Sequence, residues 1–274
     1  KAWDDRRVTF ATVTIPNIQE RKSPDYGIFL DPSLGKTRRV LDYYEAFNDE
    51  TLEAIDYFCG IVKQESAGNL LTCINYAYQP DMPYMPLEVD HRAGAKCHRM
   101  KNIDILSSPH EYWQRDLGES GNLRTIIDSV NLHGKLFIDE CDERTHLASN
   151  QLFRHAGNTW QDQQILRRAW GIAFTHGAGM WYMDQSSGAW YDDPDLYSDF
   201  RKYQKWANWS MQLPREHRCE VALIVSNKSE FFVASRAQLD AQLILGQVDE
   251  MSRSGAPFAR YYIEDLEQGL VPAH

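Results

Sequence analysis

The stretch "HGKLFIDECDERTHL", residues 133–147, decides the fold. A short apolar run, Leu136 to Ile138, passes directly into Asp139 and Glu140 and then into further charged residues. An apolar run of this length that ends in polar residues is typical of a buried strand. The carboxylates therefore follow a predicted strand at its carboxyl end, where they either pair with nearby cations or form part of a site.

The sequence on both sides of this stretch alternates between helical patterns and short apolar strands. The predicted strands are "NLLTCINYAY", "NIDILSSP", "KLFIDE" and "MWYMD". This alternation predicts βαβ units and a parallel sheet. The predicted helices cover residues 37–68, 89–101, 120–133, 160–179 and 193–212.

Each predicted strand ends in polar or aromatic residues, and this favours a barrel. In a (β/α)8 TIM barrel the carboxyl ends of all strands meet at one rim, where active sites are built. A doubly wound sheet is the rival, but no G-x-G-x-x-G follows any strand, so a dinucleotide site is not supported. Four βα units fit the C-terminal half of such a barrel, over residues 1–214.

The composition changes after Pro214. "CEVALIVSNKSEFF" predicts a new strand, and "QLDAQLILGQVDEMSRSGAPF" predicts an amphipathic helix that ends at Gly255. We interpret residues 215–274 as the first βα unit of a truncated, flavodoxin-like second domain, with no further strand.

The chain has 274 residues and a formal net charge of −10, with 43% hydrophobic and 25% charged residues. The scattered acidic charge argues against nucleic acid or an anionic membrane as a partner. No apolar run approaches the roughly 20 residues of a membrane span. The five cysteines form no C-x-x-C and favour a reducing compartment such as the cytoplasm, although the sequence leaves localisation open.

Several chemistries are open to the strand-end carboxylate Glu140: nucleophile, general base, metal ligand, or an ion pair with Arg144. A glycosidase needs a second carboxylate, and Asp184 ends the next strand. Cys141 near His146 is a weaker candidate for a nucleophile. His91, Cys97 and His98 lack a second cluster that would complete a metal site, so we predict neither a metal nor a cofactor.

Three stretches carry a family resemblance: "SSPHEYWQRDLGESGNL", "LHGKLFIDECDERTHL" and "GAGMWYMDQSSGAWYDDPDL". They resemble the C-terminal half of the barrel in clan A glycoside hydrolases related to family 42 β-galactosidases. "AWDDRRVTFATVTIP" is similar to the segment after the fourth strand and its helix, and "EVALIVSNKSEFF" to the start of that family's trimerisation domain. The resemblance covers nearly the whole chain.

The resemblance implies a retaining glycosidase that acts on an oligo- or disaccharide, in a homo-oligomer that is possibly a trimer. Glu140 takes the position of the nucleophile. The acid/base glutamate, at the end of the fourth strand, is expected upstream of Lys1, so the chain alone is expected to be inactive. Asp142 and Arg144 depart from typical family 42 enzymes, which leaves galactose specificity open. A degenerate barrel that only binds carbohydrate is the alternative.

The remaining site residues follow from this expectation. Asp142 is expected to orient Arg144, and Arg144 to lower the pKa of Glu140. Aromatic residues are candidates to stack on a sugar or to bond Glu140, although each is also a candidate for simple packing. The full set of expected substrate-binding residues is Tyr76, Tyr78, Tyr112, Arg115, Asp142, Arg144, Trp181, Asp184 and Trp190.

Overall fold

In the computed structural model, the described residues are 3, 6–21, 27–78, 91–149, 156–185, 188–214, 219–234, 239 and 241–272. Four strands form a parallel sheet in the order β1-β2-β3-β4, which is also their order along the chain. Within the described residues, no helix has both the length and the apolar character that crossing a bilayer requires. The predicted mixed α/β fold with a parallel sheet is confirmed. The strands are β1 Cys73–Ile74, β2 Ile105–Pro109, β3 Leu136–Cys141 and β4 Gly179–Tyr182.

Helices precede, connect and follow these strands. Asn158 caps α5 by accepting a hydrogen bond from the Gln161 amide at 3.0 Å, and Asp193 caps α6 in the same way. The helices of this part of the chain are α1 Ile18–Arg21, α2 Gly35–Glu65, α3 Gly94–Cys97, α4 Ile127–Leu132, α5 Thr159–Thr175 and α6 Pro194–Ser210.

The helices cover one face of the sheet. Phe137 of β3 packs with Val130 of α4 and Ala173 of α5, and Cys141 packs with Leu196 of α6. Successive side chains of a strand point to opposite faces. Glu140 therefore lies on the face that points away from these helices. That face also carries Cys73, Leu136 and Trp181, which are exposed.

A second, two-stranded parallel sheet follows. It pairs β5 Val221–Val225 with β6 Phe258–Tyr262. The expectation that no strand follows the helix ending at Gly255 is therefore wrong. Between the strands lie α7 Asn227–Phe231, a π-helical segment Ala241–Gly246 and α8 Gln247–Ser254, and α9 Ile263–Glu267 follows them.

This second sheet packs against α4. The Arg260 amide donates to Asp128 Oδ2 at 2.8 Å, and the Tyr262 amide donates to Ser129 Oγ at 2.8 Å. Side chains of α4 thus satisfy backbone groups of β6, an edge strand that would otherwise need another partner. The division of the chain at residue 214 stays a prediction.

Some predicted bounds differ from the structure. The first strand is two residues long instead of ten, and the helix predicted from residue 120 begins at Ile127. The residues before Ile127 form a loop in which Leu123 bridges to His110 next to β2. This tertiary pairing outweighs the local helical pattern.

Candidate functional site

The rim formed by the carboxyl ends of the four strands is the candidate site. Because the strands are parallel, the residues that follow them lie along the same edge of the sheet. Eight of the ten expected site residues follow a strand, and Glu140 is the last residue but one of β3. Trp181 belongs to β4 itself, at the position paired with Glu140.

Glu140 is a half-buried carboxyl on the face of the sheet that points away from the helices. Its neighbours in register are Pro109 of β2 and Trp181 of β4. Within the described part of the chain it makes no side-chain hydrogen bond and no ion pair. The alternative in which Glu140 forms an ion pair with Arg144 is therefore wrong.

The surroundings of Glu140 disfavour its charged form. Burial raises the pKa of this carboxyl above its ordinary value, and the negative charges of Asp142 and Asp139 raise it further. The expectation that Arg144 lowers this pKa is wrong, because the Arg144 guanidinium lies over the ring of Trp190 at 5.3 Å. A carboxyl of this kind exchanges its proton at a higher pH than an ordinary glutamate.

Trp181 is the aromatic residue closest in register to Glu140. Its side chain is 44% exposed and lies on the same face of the sheet as Glu140. An exposed indole beside a carboxyl offers an apolar surface next to a polar group, which is the combination that binds a sugar ring.

Asp142 forms the centre of a second group at the rim. It accepts a hydrogen bond from Arg115 Nη2 at 2.6 Å and another from the Tyr112 hydroxyl at 2.9 Å. The expectation that Asp142 orients Arg144 is wrong, since Arg115 is its partner. Glu143 lies 3.6 Å from Arg115 Nε, so the buried guanidinium is held between two carboxylates. Burial and the Asp142 charge raise the pKa of Tyr112 to about 12, so its hydroxyl remains a donor.

The sequence did not single out Arg124, which precedes α4. Its guanidinium carbon lies 5.1 Å from the ring centroid of Tyr78 and 5.0 Å from that of Tyr112. The side chain is 2% exposed. A lone arginine in a loop carries no signal in the sequence, and only the fold reveals that it is buried.

Asp139 and His110 form a buried pair on the opposite face of the sheet from Glu140. His110 Nδ1 lies 2.9 Å from Asp139 Oδ2, and both side chains are fully buried. Burial lowers the pKa of His110, but the charge of Asp139 and its hydrogen bond outweigh this effect, so the pKa is raised overall. Sequence reasoning missed this pair because His110 lies just beyond the predicted strand, in a segment interpreted as a loop.

Three expected site residues lie outside this arrangement. Tyr76 is buried, stacked on His91 with ring centroids 4.8 Å apart, and belongs to the core rather than to the site. Trp190 is also buried in the core, beneath Arg144. Asp184 is exposed and accepts the Trp190 amide at 3.3 Å, so it orders the loop after β4.

The weaker chemistries considered from the sequence are not supported. Burial raises the pKa of the Cys141 thiol well above its ordinary value, and His146 pairs with Asp162 instead. Cys97 is buried in the core. Among the described residues, no group of three or more metal-ligating side chains has an arrangement that could hold an ion.

No family model, no curated protein and no solved structure matches this chain. The roles of the rim residues therefore rest on their geometry and on the resemblance drawn from the sequence.

Proposed function

We propose that this chain carries the nucleophile of a retaining glycoside hydrolase, similar to β-galactosidases, which cleaves terminal β-linked sugars. The main support for the proposal is the position of Glu140. It is a half-buried carboxyl without an ion pair in the described residues, and it lies beside the exposed Trp181 at the carboxyl edge of a parallel sheet. A carboxyl whose pKa is shifted at the carboxyl edge of a parallel sheet is a candidate for a chemical role.

We further propose that the four-stranded sheet is the C-terminal half of a (β/α)8 barrel. The strands follow one another in the order β1-β2-β3-β4, and α2, α4, α5 and α6 pack on one face. A doubly wound sheet instead reverses its strand order and places helices on both faces. The sequential, one-sided arrangement supports the proposal of a barrel wall, in which Glu140 is directed to the inside.

In the proposed reaction, the ionised Glu140 attacks the anomeric carbon while the bond to the leaving oxygen breaks. The acid/base glutamate that the resemblance implies protonates that oxygen; in retaining enzymes its carboxyl group lies about 5–5.5 Å from that of the nucleophile. Water then hydrolyses the glycosyl ester, and Glu140 leaves as a carboxylate. Trp181 stacks on the sugar face, and the ion pair of Arg115 with Asp142 holds the rim beside it.

A binding protein without catalysis remains the second candidate. The raised pKa of Glu140 favours it, since a nucleophile must be ionised and the surroundings oppose ionisation. In either case the partner is an oligo- or disaccharide, and the net charge of −10 disfavours nucleic acid. We propose a homo-oligomer such as a trimer, from the resemblance of residues 220–232 to a trimerisation domain.

Mechanism-based labelling tests the proposal. The natural full-length protein is incubated with a 2-fluoro glycosyl fluoride, and its peptides are analysed by mass spectrometry. We expect a covalent sugar on Glu140, its loss in Glu140→Gln, and its retention in Glu53→Gln, which changes an exposed glutamate of α2. A label on another residue contradicts the assignment of Glu140, and the absence of any label favours the binding protein.

A further inference from the structure

Arg124 is a buried cation for which the described residues supply no counter-ion. Its Nε and Nη2 atoms are buried without a hydrogen-bond partner, and its side chain forms no ion pair with any described residue. Leaving a charged group buried and unpaired costs free energy, and so does each unsatisfied N–H donor. Two tyrosine rings offset part of this cost through cation–π contacts, but they accept none of the N–H groups in the plane of the guanidinium.

Two carboxylates of this rim, Asp142 and Glu143, interact with Arg115. Asp142 binds Arg115 at 2.6 Å, and Glu143 lies 3.6 Å from the same guanidinium. Two arginines thus stand on either side of the Tyr112 ring, with centroid distances of 4.4 Å for Arg115 and 5.0 Å for Arg124. Arg115 has its anions, whereas the described part of the chain offers none to Arg124.

Tyr112 provides a route to Arg124. Its side chain is 38% exposed while Arg124 is 2% exposed, so the Tyr112 ring is the outer wall of the cluster. A ligand at the rim therefore reaches Arg124 only if the Tyr112 ring moves aside and its hydroxyl leaves Asp142. Asp142, which binds the Tyr112 hydroxyl, is close enough to Glu140 for its charge to raise the pKa of that carboxyl. The cluster therefore belongs to the same rim as the proposed nucleophile.

We infer that Arg124 binds the acidic group of the substrate, so that the sugar recognised at this rim is a uronic acid or a sulfated sugar rather than a neutral hexose. This inference deepens the proposed function and rests on it. A planar guanidinium matches two oxygens of a carboxylate or sulfate, which satisfies both buried N–H donors at once. The Tyr78 ring, 5.1 Å from the guanidinium carbon, packs on one side of the pair.

Direct binding tests the inference separately from catalysis. Glucuronate, galactose 6-sulfate and galactose are titrated by calorimetry into the protein and into its Arg124→Met and Arg124→Lys variants. We expect one of the two acidic sugars to bind at least ten-fold more tightly than galactose, since charge-assisted hydrogen bonds add about 1.5–3 kcal/mol. Arg124→Met is expected to remove this preference. Arg124→Lys, which keeps the charge but loses the planar fork, is expected to weaken it.

The two acidic probes distinguish a carboxylate from a sulfate ester, and Arg38→Met on α2 is the control for the loss of an exposed positive charge. Equal binding of acidic and neutral sugars overturns the inference, as does a preference that survives in Arg124→Met. Thermal unfolding guards against a folding defect: both variants are expected to keep a cooperative transition, and the acidic sugar is expected to raise their midpoints less than that of the natural protein. Failure of covalent labelling with retained binding of the acidic sugar contradicts the proposed catalysis alone.

Discussion

At the scale of single residues, Glu140 is the group whose ionisation the fold opposes. Its raised pKa means that the protonated form is favoured in the folded chain more than in the unfolded chain. This contribution to stability is complete below the unfolded pKa of about 4.3 and is lost as the pH rises through the folded value. Near neutral pH, the ionised carboxylate is therefore a source of instability.

We predict that Glu140→Gln stabilises the protein at pH 7 and leaves its stability unchanged near pH 3.5. The gain is less than about 1 kcal/mol, because solvent screens a partly exposed charge. Urea unfolding at the two pH values measures it, with Glu53→Gln as the control. A clear loss of stability at pH 7 contradicts the prediction and indicates that Glu140 is held by an ion pair.

The sequence predicted Glu140 at a strand end because the apolar run before it has a readable length and boundary. Its electrostatic surroundings were not predictable. Asp142 and Arg115 are 27 residues apart in the chain, and their pairing depends on the loop after β2 folding back over β3. Arg124 was missed for the same reason, since burial of a single loop residue is a property of tertiary packing.

At the scale of elements, the helical periodicity located α2, α5 and α6 to within a few residues, and the apolar runs located β2, β3 and β4. The first strand was predicted too long because apolar residues at positions 70 and 71 are exposed instead of buried. Similarly, Tyr57 and Phe58 of α2 are each 65% exposed, although they continue its apolar pattern. A pattern shows which residues are able to be buried, but it does not show what covers them.

Two glycines give a matched test of helix packing. Gly171 lies inside α5 with no atom within 4 Å of an added Cβ, so Gly171→Ala is expected to stabilise the chain by up to about 1 kcal/mol. At Gly94, the first residue of α3, an added Cβ collides with the Tyr262 hydroxyl and lies 3.2 Å from the Ala77 Cβ. Gly94→Ala is expected to destabilise by about 1–3 kcal/mol.

Thermal or urea unfolding of both variants measures these opposite effects. Because both are the same substitution in a helix, the difference between them reports the contact of α3 with β6. Equal effects of the two substitutions contradict the close approach of Tyr262 to Gly94.

At the scale of the whole molecule, the second sheet is joined to the first part of the chain by buried groups. Ile126 next to α4 and Ala95 of α3 pack with Val225 of β5 and Tyr262 of β6. The change in composition after Pro214 predicted a new unit. Its close packing against α3 and α4 was not predictable from the sequence, because it depends on tertiary contacts.

We predict that a chain of residues 1–214 unfolds at a lower temperature than the full chain, because its truncation exposes Ile126 and leaves Asp128 without the Arg260 amide. Calorimetry of the two chains measures the difference. Ser129→Ala provides a gentler test, since it removes the acceptor of the Tyr262 amide and should speed hydrogen exchange there. An unchanged midpoint in the shorter chain contradicts the prediction.

Two tyrosine hydroxyls hold the loop that follows β3 by hydrogen bonds. The Tyr112 hydroxyl binds Asp142, and the Tyr191 hydroxyl lies 3.0 Å from the Cys141 carbonyl oxygen and 2.9 Å from that of Glu143. Burial raises the pKa of Tyr112 to about 12 and raises that of Tyr191 well above its ordinary value. Both keep their protons in strongly alkaline solution, in which lysine ammonium groups become neutral. The two hydrogen bonds that hold the loop with the acidic residues of the rim should therefore persist in alkaline solution. The geometry of this loop should then be kept at pH values at which ion pairs of surface lysines are lost.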